Sequence, residues 1–201
     1  MILTDIGEVG VHAGERTHVL RPSLYAMSRL GEPAEIVALF VSVMGEAPAM
    51  ADALAVLYAC SEDDLSPMFG AMEIQCDRVV YVPGLADPAQ IIPIARCLLR
   101  HGVTGALAPL PRAAGDEPEY VQEFDARAHV ALAMAHLGIR ERDAWQMTMT
   151  SLVGALRAKF PQQAPGASAP SIEETEAALE WHDRVLLEKE RRHALVTSGK
   201  I

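Results

Sequence analysis

Cys97 and His101 stand four residues apart in the apolar stretch IIPIARCLLRH, a spacing that puts a thiol and an imidazole on one face of a helix. Cys60 and Cys76 would complete the four ligands of a tetrahedral zinc site. The chain has no Cys-x-x-Cys knuckle, and its spacing matches no zinc ribbon or finger. Ordinary buried thiols and a helix-end histidine that complements the dipole therefore form the expected state, with a small zinc-binding helical protein as an alternative. Three cysteines among apolar neighbours are poor material for a disulfide framework and fit a reducing cytosol.

Other chemistry finds less support. No serine stands in a G-x-S-x-G elbow, and neither G-x-x-x-x-G-K nor G-x-G-x-x-G occurs. Asp125 and His129 lie one helical turn apart, which suits a surface pair better than a catalytic dyad, and His136 reads as helix lining. The carboxylate pairs Glu8/Glu15, Asp63/Asp64 and Glu173/Glu174 read as solvated charge. The expectation is a protein that is not an enzyme, with no catalytic residue and no cofactor. A net charge of −10 argues against a nucleic-acid surface, where phosphate contacts need clustered Lys and Arg. The N-terminus MILTDIGEVG has neither the basic nor the apolar region of a signal peptide, and the longest apolar run, 34–44, is too short to span a bilayer. A cytosolic protein that binds neither nucleic acid nor membrane is expected.

The elements that would position these residues read as mainly α. Half of the 201 residues are apolar but only 5% are aromatic, a mix suited to closely packed helices. Residues 6–20 read as a β-hairpin turning at Ala13-Gly14-Glu15, with an exposed edge that offers a homo-oligomer contact. Pro22 opens a helix to Leu30, and Pro33 opens the next, to Met44, whose apolar residues cover nearly the whole circumference and predict central burial. A third helix runs from Pro48 to about Cys60. Residues 65–86 are irregular, with one helical turn at Ser66-Pro67 and a short strand at 78–82. Asp87-Pro88-Ala89-Gln90 caps a helix that runs to His101, is kinked by Pro93 and stops at Gly102. A long loop, 102–118, leads to a helix from Glu119 to Leu137 with a stripe of Tyr120, Phe124, Ala128, Ala131 and Ala135, widened by Val130, Met134 and Leu137.

The stretch LGIRERDAWQMTMTSLVGALRAKFP, 137–161, closes a helical domain spanning 1–161. Gly138 ends one helix, Trp145 and Met147 are bulky, and Thr148 or Thr150 caps a last amphipathic helix ending at Phe160. The expected place for Trp145 is a core position wedged between two helices. Residues 162–170 form a linker by composition, and Ser171-Ile172-Glu173-Glu174 is a capping box that starts a C-terminal helix within 171–201, carrying Leu179, Trp181 and Leu186.

Ala144-Trp145-Gln146-Met147-Thr148, followed by Leu152, Ala155, Leu156 and Phe160, resembles the C-terminal element of phage tail assembly chaperones. The segments Leu20-Arg21-Pro22-Ser23-Leu24, Met27-Ser28-Arg29-Leu30-Gly31 and Pro33-Ala34-Glu35-Ile36-Val37 resemble small proteins encoded among the tail genes of tailed phages and prophages. That family usually carries Glu three residues after the capping Thr, where Ser151 stands here. The resemblance implies a non-enzymatic protein of the host cytoplasm that binds the tape measure protein, helps recruit tail-tube protein and is absent from the finished virion. A minor structural tail or connector protein is the alternative. Partner-binding or structural roles would fall on Trp145, Met147, Thr148, Leu152, Leu156 and Phe160, and on Leu179, Trp181 and Leu186 in the extension.

A core Trp145 predicts that Trp145→Ala costs about 3–5 kcal/mol. Deleting residues 162–201 should leave thermal unfolding of the remainder unchanged while weakening partner capture; a lowered melting temperature would place the extension in the core.

Overall fold

The N-terminal strands form because alternating apolar residues can turn one face inward. In the computed structural model, which describes residues 2–13, 16–108 and 121–161, β2 (Val9–Ala13) pairs antiparallel with β3 (Arg16–Leu20) in a register of Val9 opposite Leu20 and Val11 opposite His18. Val9 and Leu20 are buried, while Val19 faces outward. The hairpin is not alone: β1 (Ile2–Leu3) pairs with Val9 and Gly10 of β2, and the described residues make a three-stranded sheet of order β1-β2-β3. The turn at 14–15, loop residues 109–120, the linker 162–170 and the helix expected within 171–201 lie outside the described residues, and with them Leu179, Trp181 and Leu186.

Helices follow. They are α1 (Leu24–Ser28), α2 (Pro33–Met44), α3 (Met50–Ala59) and the single turn α4 (Ser66–Phe69). Pro22 precedes α1 rather than opening it, because Ser23 takes the N-cap and accepts from the Ala26 N–H at 3.1 Å. Pro33 does open α2, where Glu32 and Glu35 form a reciprocal capping box. Central burial of α2 is not what the structure has. Only Ile36 and Val43 are buried, and Val41 is 64% exposed. The buried centre is instead α3 against α5 (Ile91–Leu99), with Leu54, Val56 and Leu57 facing Ile91, Ile94, Leu98 and Leu99. Arg96 on α5 donates to the carbonyls of Val43 (2.9 Å) and Gly45 (2.6 Å), satisfying the acceptors that the end of α2 leaves open.

The irregular region 65–86 proves ordered. After α4, β4 (Ala71–Gln75) and β5 (Arg78–Val82) form a second antiparallel hairpin, so the fold is a helix-rich mixture with two small sheets rather than mainly α. Its two-residue turn, Cys76-Asp77, has φ of +49 and +60, the left-handed pair that tight hairpins require. Gly70 and Gly84 bring the two roots of the hairpin together.

Pro93 falls in the first turn of α5, where a missing N–H costs nothing, and a 3-10 turn (Pro88–Gln90) capped by Asp87 precedes it. The helical path does not stop at Gly102 but widens into a π turn over Arg100–Thr104. The last helices are α6 (Ala126–Leu137), α7 (Glu141–Trp145) and α8 (Met149–Lys159). α6 starts at Ala126 because the Asp125 carboxylate accepts from the N–H groups of Arg127 and Ala128. Its inward stripe is Ala126, Val130 and Ala133; Ala128, Ala131 and Ala135 of the expected stripe are exposed. Gly138, at φ +67, ends α6 as the sequence predicts.

A Cβ added at Gly70, where φ is +79, would lie 2.1 Å from the Val82 carbonyl oxygen and 2.7 Å from Gly84 N, whereas one at Gly138 would meet nothing within 4 Å. Gly70→Ala should therefore cost about 2–4 kcal/mol, from left-handed strain plus overpacking, and Gly138→Ala about 1 kcal/mol from the strain alone. Chemical denaturation of both variants checks the ranking, and equal losses would show that the hairpin roots are not close-packed.

Candidate functional site

The four groups considered for zinc are held at separate places. Cys60 is buried at the end of α3, and burial pushes its thiol far up. Cys76 is exposed at the tip of the β4–β5 turn. Cys97 is half-buried on α5, its thiol raised by burial against the opposing effect of Arg100. His101 is turned to Thr150, with Nδ1 2.9 Å from Oγ1, and burial together with Arg100 holds its pKa below the usual imidazole value. Among the described residues no group of three or more His, Cys, Asp or Glu is arranged to hold a metal ion. The zinc alternative has no ligand set here.

Asp125 and His129 are not a dyad either. The carboxylate caps α6, while His129 Nδ1 lies 2.6 Å from the Asp125 backbone carbonyl and its ring stacks on Phe124 with centroids 5.0 Å apart. Of the acidic residues, Asp63 meets His18 at 2.8 Å, Glu8 pairs with Arg21, and hydrogen bonds from Ser66 hold the Asp64 carboxyl below its usual range.

The corner 137–161 is a junction. Thr148 caps α8 by accepting from Ser151 N–H at 3.1 Å, and the Ser151 hydroxyl lies 3.0 Å from the Thr148 hydroxyl, standing where a capping glutamate would. Ser23 and Thr148 form a β-bridge, and Leu24 N–H donates to the Met147 carbonyl at 2.8 Å. Leu152 is fully buried, Met147 and Leu156 pack partly on the core, and Phe160 is 50% exposed with its ring edge-on to His136.

Trp145 packs against the core from its margin rather than lying fully within it. The indole is half-buried, meets Tyr25 edge-on at 6.4 Å and donates from Nε1 to Glu141 at 3.3 Å. Helix α7 has only five residues, so it carries Trp145 across the surface of α1 instead of wedging it between two long helices. Two clefts meet at Tyr25 and Gln146. One, of about 370 Å³, lies between β3, α1 and the end of α3, with Arg21, Arg29 and Val19 on its walls. The other, of about 380 Å³, is lined by Tyr25, Ser28, Arg127, Arg142, Trp145 and Gln146.

Of the β4–β5 arm, the sequence marks the strand at 78–82 but not its partner β4. Register places Met72/Tyr81 and Ile74/Val79 on one face. Met72 and Tyr81 pack on the core, and the Tyr81 hydroxyl donates to the Phe69 carbonyl at 2.9 Å. Further out, Ile74 is 80% and Val79 65% exposed, with Leu85 at 88% beyond the strand. The alternation in RVVYV signals β5, but Cys-Asp lacks the Asn-Gly or Asp-Gly signature that would have paired it with β4.

With its indole half-buried, Trp145→Ala should cost about 1–2 kcal/mol, below the cost of truncating a core aromatic, while Leu152→Ala should cost about 2–5 kcal/mol. Urea denaturation of the two variants tests this order; a larger loss at Trp145 would return it to the core.

No described helix is long and apolar enough to cross a membrane. No curated protein and no solved structure matches the chain. Residues 46–177 match a family described as a family of unknown function, DUF6246, and the match runs from the approach to α3 through the Trp145 corner and α8. Covering more than half of the sequence, it shows that the chain belongs to this family.

Proposed function

We propose that the protein is a non-enzymatic tail assembly chaperone of tailed phages or prophages. It holds the tape measure protein in the host cytoplasm and helps bring tail-tube subunits to it. The resemblance of the Trp145–Phe160 element and of the segments around α1 and α2 suggests this reading. The observation that carries it is the β4–β5 arm, whose Ile74/Val79 face runs outward from the packed Met72/Tyr81 pair. Apolar side chains exposed along one ordered face suit a client with its own unburied apolar stripe, since burying such area contributes about 25 cal/mol per Å².

In cells producing phage, tagged protein should co-purify with a long, helical tape measure protein and be absent from purified particles by mass spectrometry. Ile74→Asp with Val79→Asp should abolish that capture without lowering the melting temperature, because both side chains are mostly exposed. Presence in finished particles would favour the minor structural tail or connector protein. Capture undiminished by the double substitution would remove the arm from the interaction.

A further inference from the structure

We propose that the groove centred on Tyr25 and Trp145 docks an acidic segment of a partner protein, with carboxylates at Arg127 and Arg142 and an apolar side chain seated between Tyr25 and Val19. The inference does not depend on which client the β4–β5 arm holds.

The second cleft is cationic in an acidic chain. The chain carries 27 acidic residues against 17 lysines and arginines, yet among the described residues no carboxylate lines the second cleft, and Arg127 and Arg142 both do. Arg127 occupies the second position of α6, where the positive end of the helix dipole disfavours a cation by about 0.3–1 kcal/mol. The Asp125 carboxylate is turned to the Arg127 and Ala128 backbone N–H groups. In the first cleft, Arg21 pairs with Glu8, Asp63 with His18, Arg29 reaches the Ala59 carbonyl at 3.4 Å, and exposed Glu62 adds a negative charge, so that side carries no cationic excess. The cationic excess lies on the Arg127/Arg142 side.

Shape and side-chain type agree with this charge. Tyr25 is 48% exposed and Trp145 half-buried, and the pair is held edge-on, with the indole N–H tied to Glu141. Tyr, Trp and Arg are the residues that dominate binding hot spots, because they supply area and directed polar contact at little cost in rotamer freedom. Ser28 and Gln146 add groups able to hydrogen-bond a peptide backbone. Exposed Val19 extends the apolar floor into the first cleft. A nucleic acid fits less well, because perpendicular rings do not form the stacking platform that unpaired bases use.

The full chain carrying Trp181→Phe leaves Trp145 as its sole tryptophan, so indole emission reports on the groove. Three probes are titrated: a peptide of glutamates interspersed with leucines, its glutamine counterpart, and a single-stranded DNA of equal charge. The glutamate peptide should bind, shift Trp145 emission and weaken as salt rises. Arg127→Glu with Arg142→Glu should weaken it at least about tenfold. Arg16→Glu with Arg100→Glu, an equal charge change at exposed positions that line neither cleft, should change it little. No binding of the glutamate peptide, equal binding of the glutamine counterpart, preference for DNA, or equal losses in the two double variants would each overturn the proposal. The Ile74/Val79 arm is intact in all of these proteins, so failure here leaves client capture to be judged separately.

Discussion

Two hydroxyls organise this fold. Ser23 and Thr148, 125 positions apart in the chain, face each other across a β-bridge, both buried, and each caps the helix that follows it. A buried helix N-terminus with unsatisfied N–H groups would cost about 1–3 kcal/mol per group, and a side-chain cap recovers about 1 kcal/mol. Setting the two caps in register solves that problem for α1 and α8 together, and the Leu24 N–H to Met147 carbonyl bond fixes the spacing. Much follows from the bridge. Trp145, three residues before the cap, is laid across Tyr25, two residues after Ser23. Thr150, two residues beyond the cap, is brought to His101 and also accepts from the Ala106 N–H.

Arginines do related work at the other helix ends. Arg96 serves the carbonyls at the end of α2, and Arg29 reaches the end of α3. With no lysine or histidine in the last turn of α2 or α3, the cations come from elsewhere in the chain, so each bond is also a tertiary tie. This explains how α2 stays attached although only Ile36 and Val43 of its apolar surface are buried. Arg127, at the start of α6, and Arg142, in the short α7, line a cleft instead.

The legible parts of the sequence were those decided by local chemistry. Pro33 at the start of α2, Gly138 at the end of α6 and Thr148 at the start of α8 each answer a need of the nearest backbone, and that need is written in the neighbouring residues. Placement relative to other elements was not written there. The all-round apolar pattern of α2 predicts burial, but which faces meet the core depends on α3 and α5. Ala128, Ala131 and Ala135 have the spacing of a stripe, yet the face marked by Val130 and Ala133 turns inward. β4 was missed because AMEIQ alternates poorly and its turn lacks glycine. At the candidate site, the sequence marked the Trp145 corner but not Tyr25, Arg127 or Arg142, which join it only through the packing of α1 on α6 and α7.

An exposed β-arm is a hazard that the rest of the chain is built to contain. Ile74 and Val79 are directly opposite each other, and an open strand edge beside such a pair invites pairing with another copy. Beside exposed Val80, the opposite face and tip carry Glu73, Gln75, Arg78 and Asp77, charged or polar groups that an indiscriminate sheet would have to bury. The net charge of −10 adds repulsion between copies at longer range. An arm that needs no exposed apolar face could replace Ile74 and Val79 with polar residues at no cost to the core, since neither is packed into it. Both stay apolar, with charged groups close by on the opposite face and tip, and that pairing is what the client-holding role proposed for the arm would need.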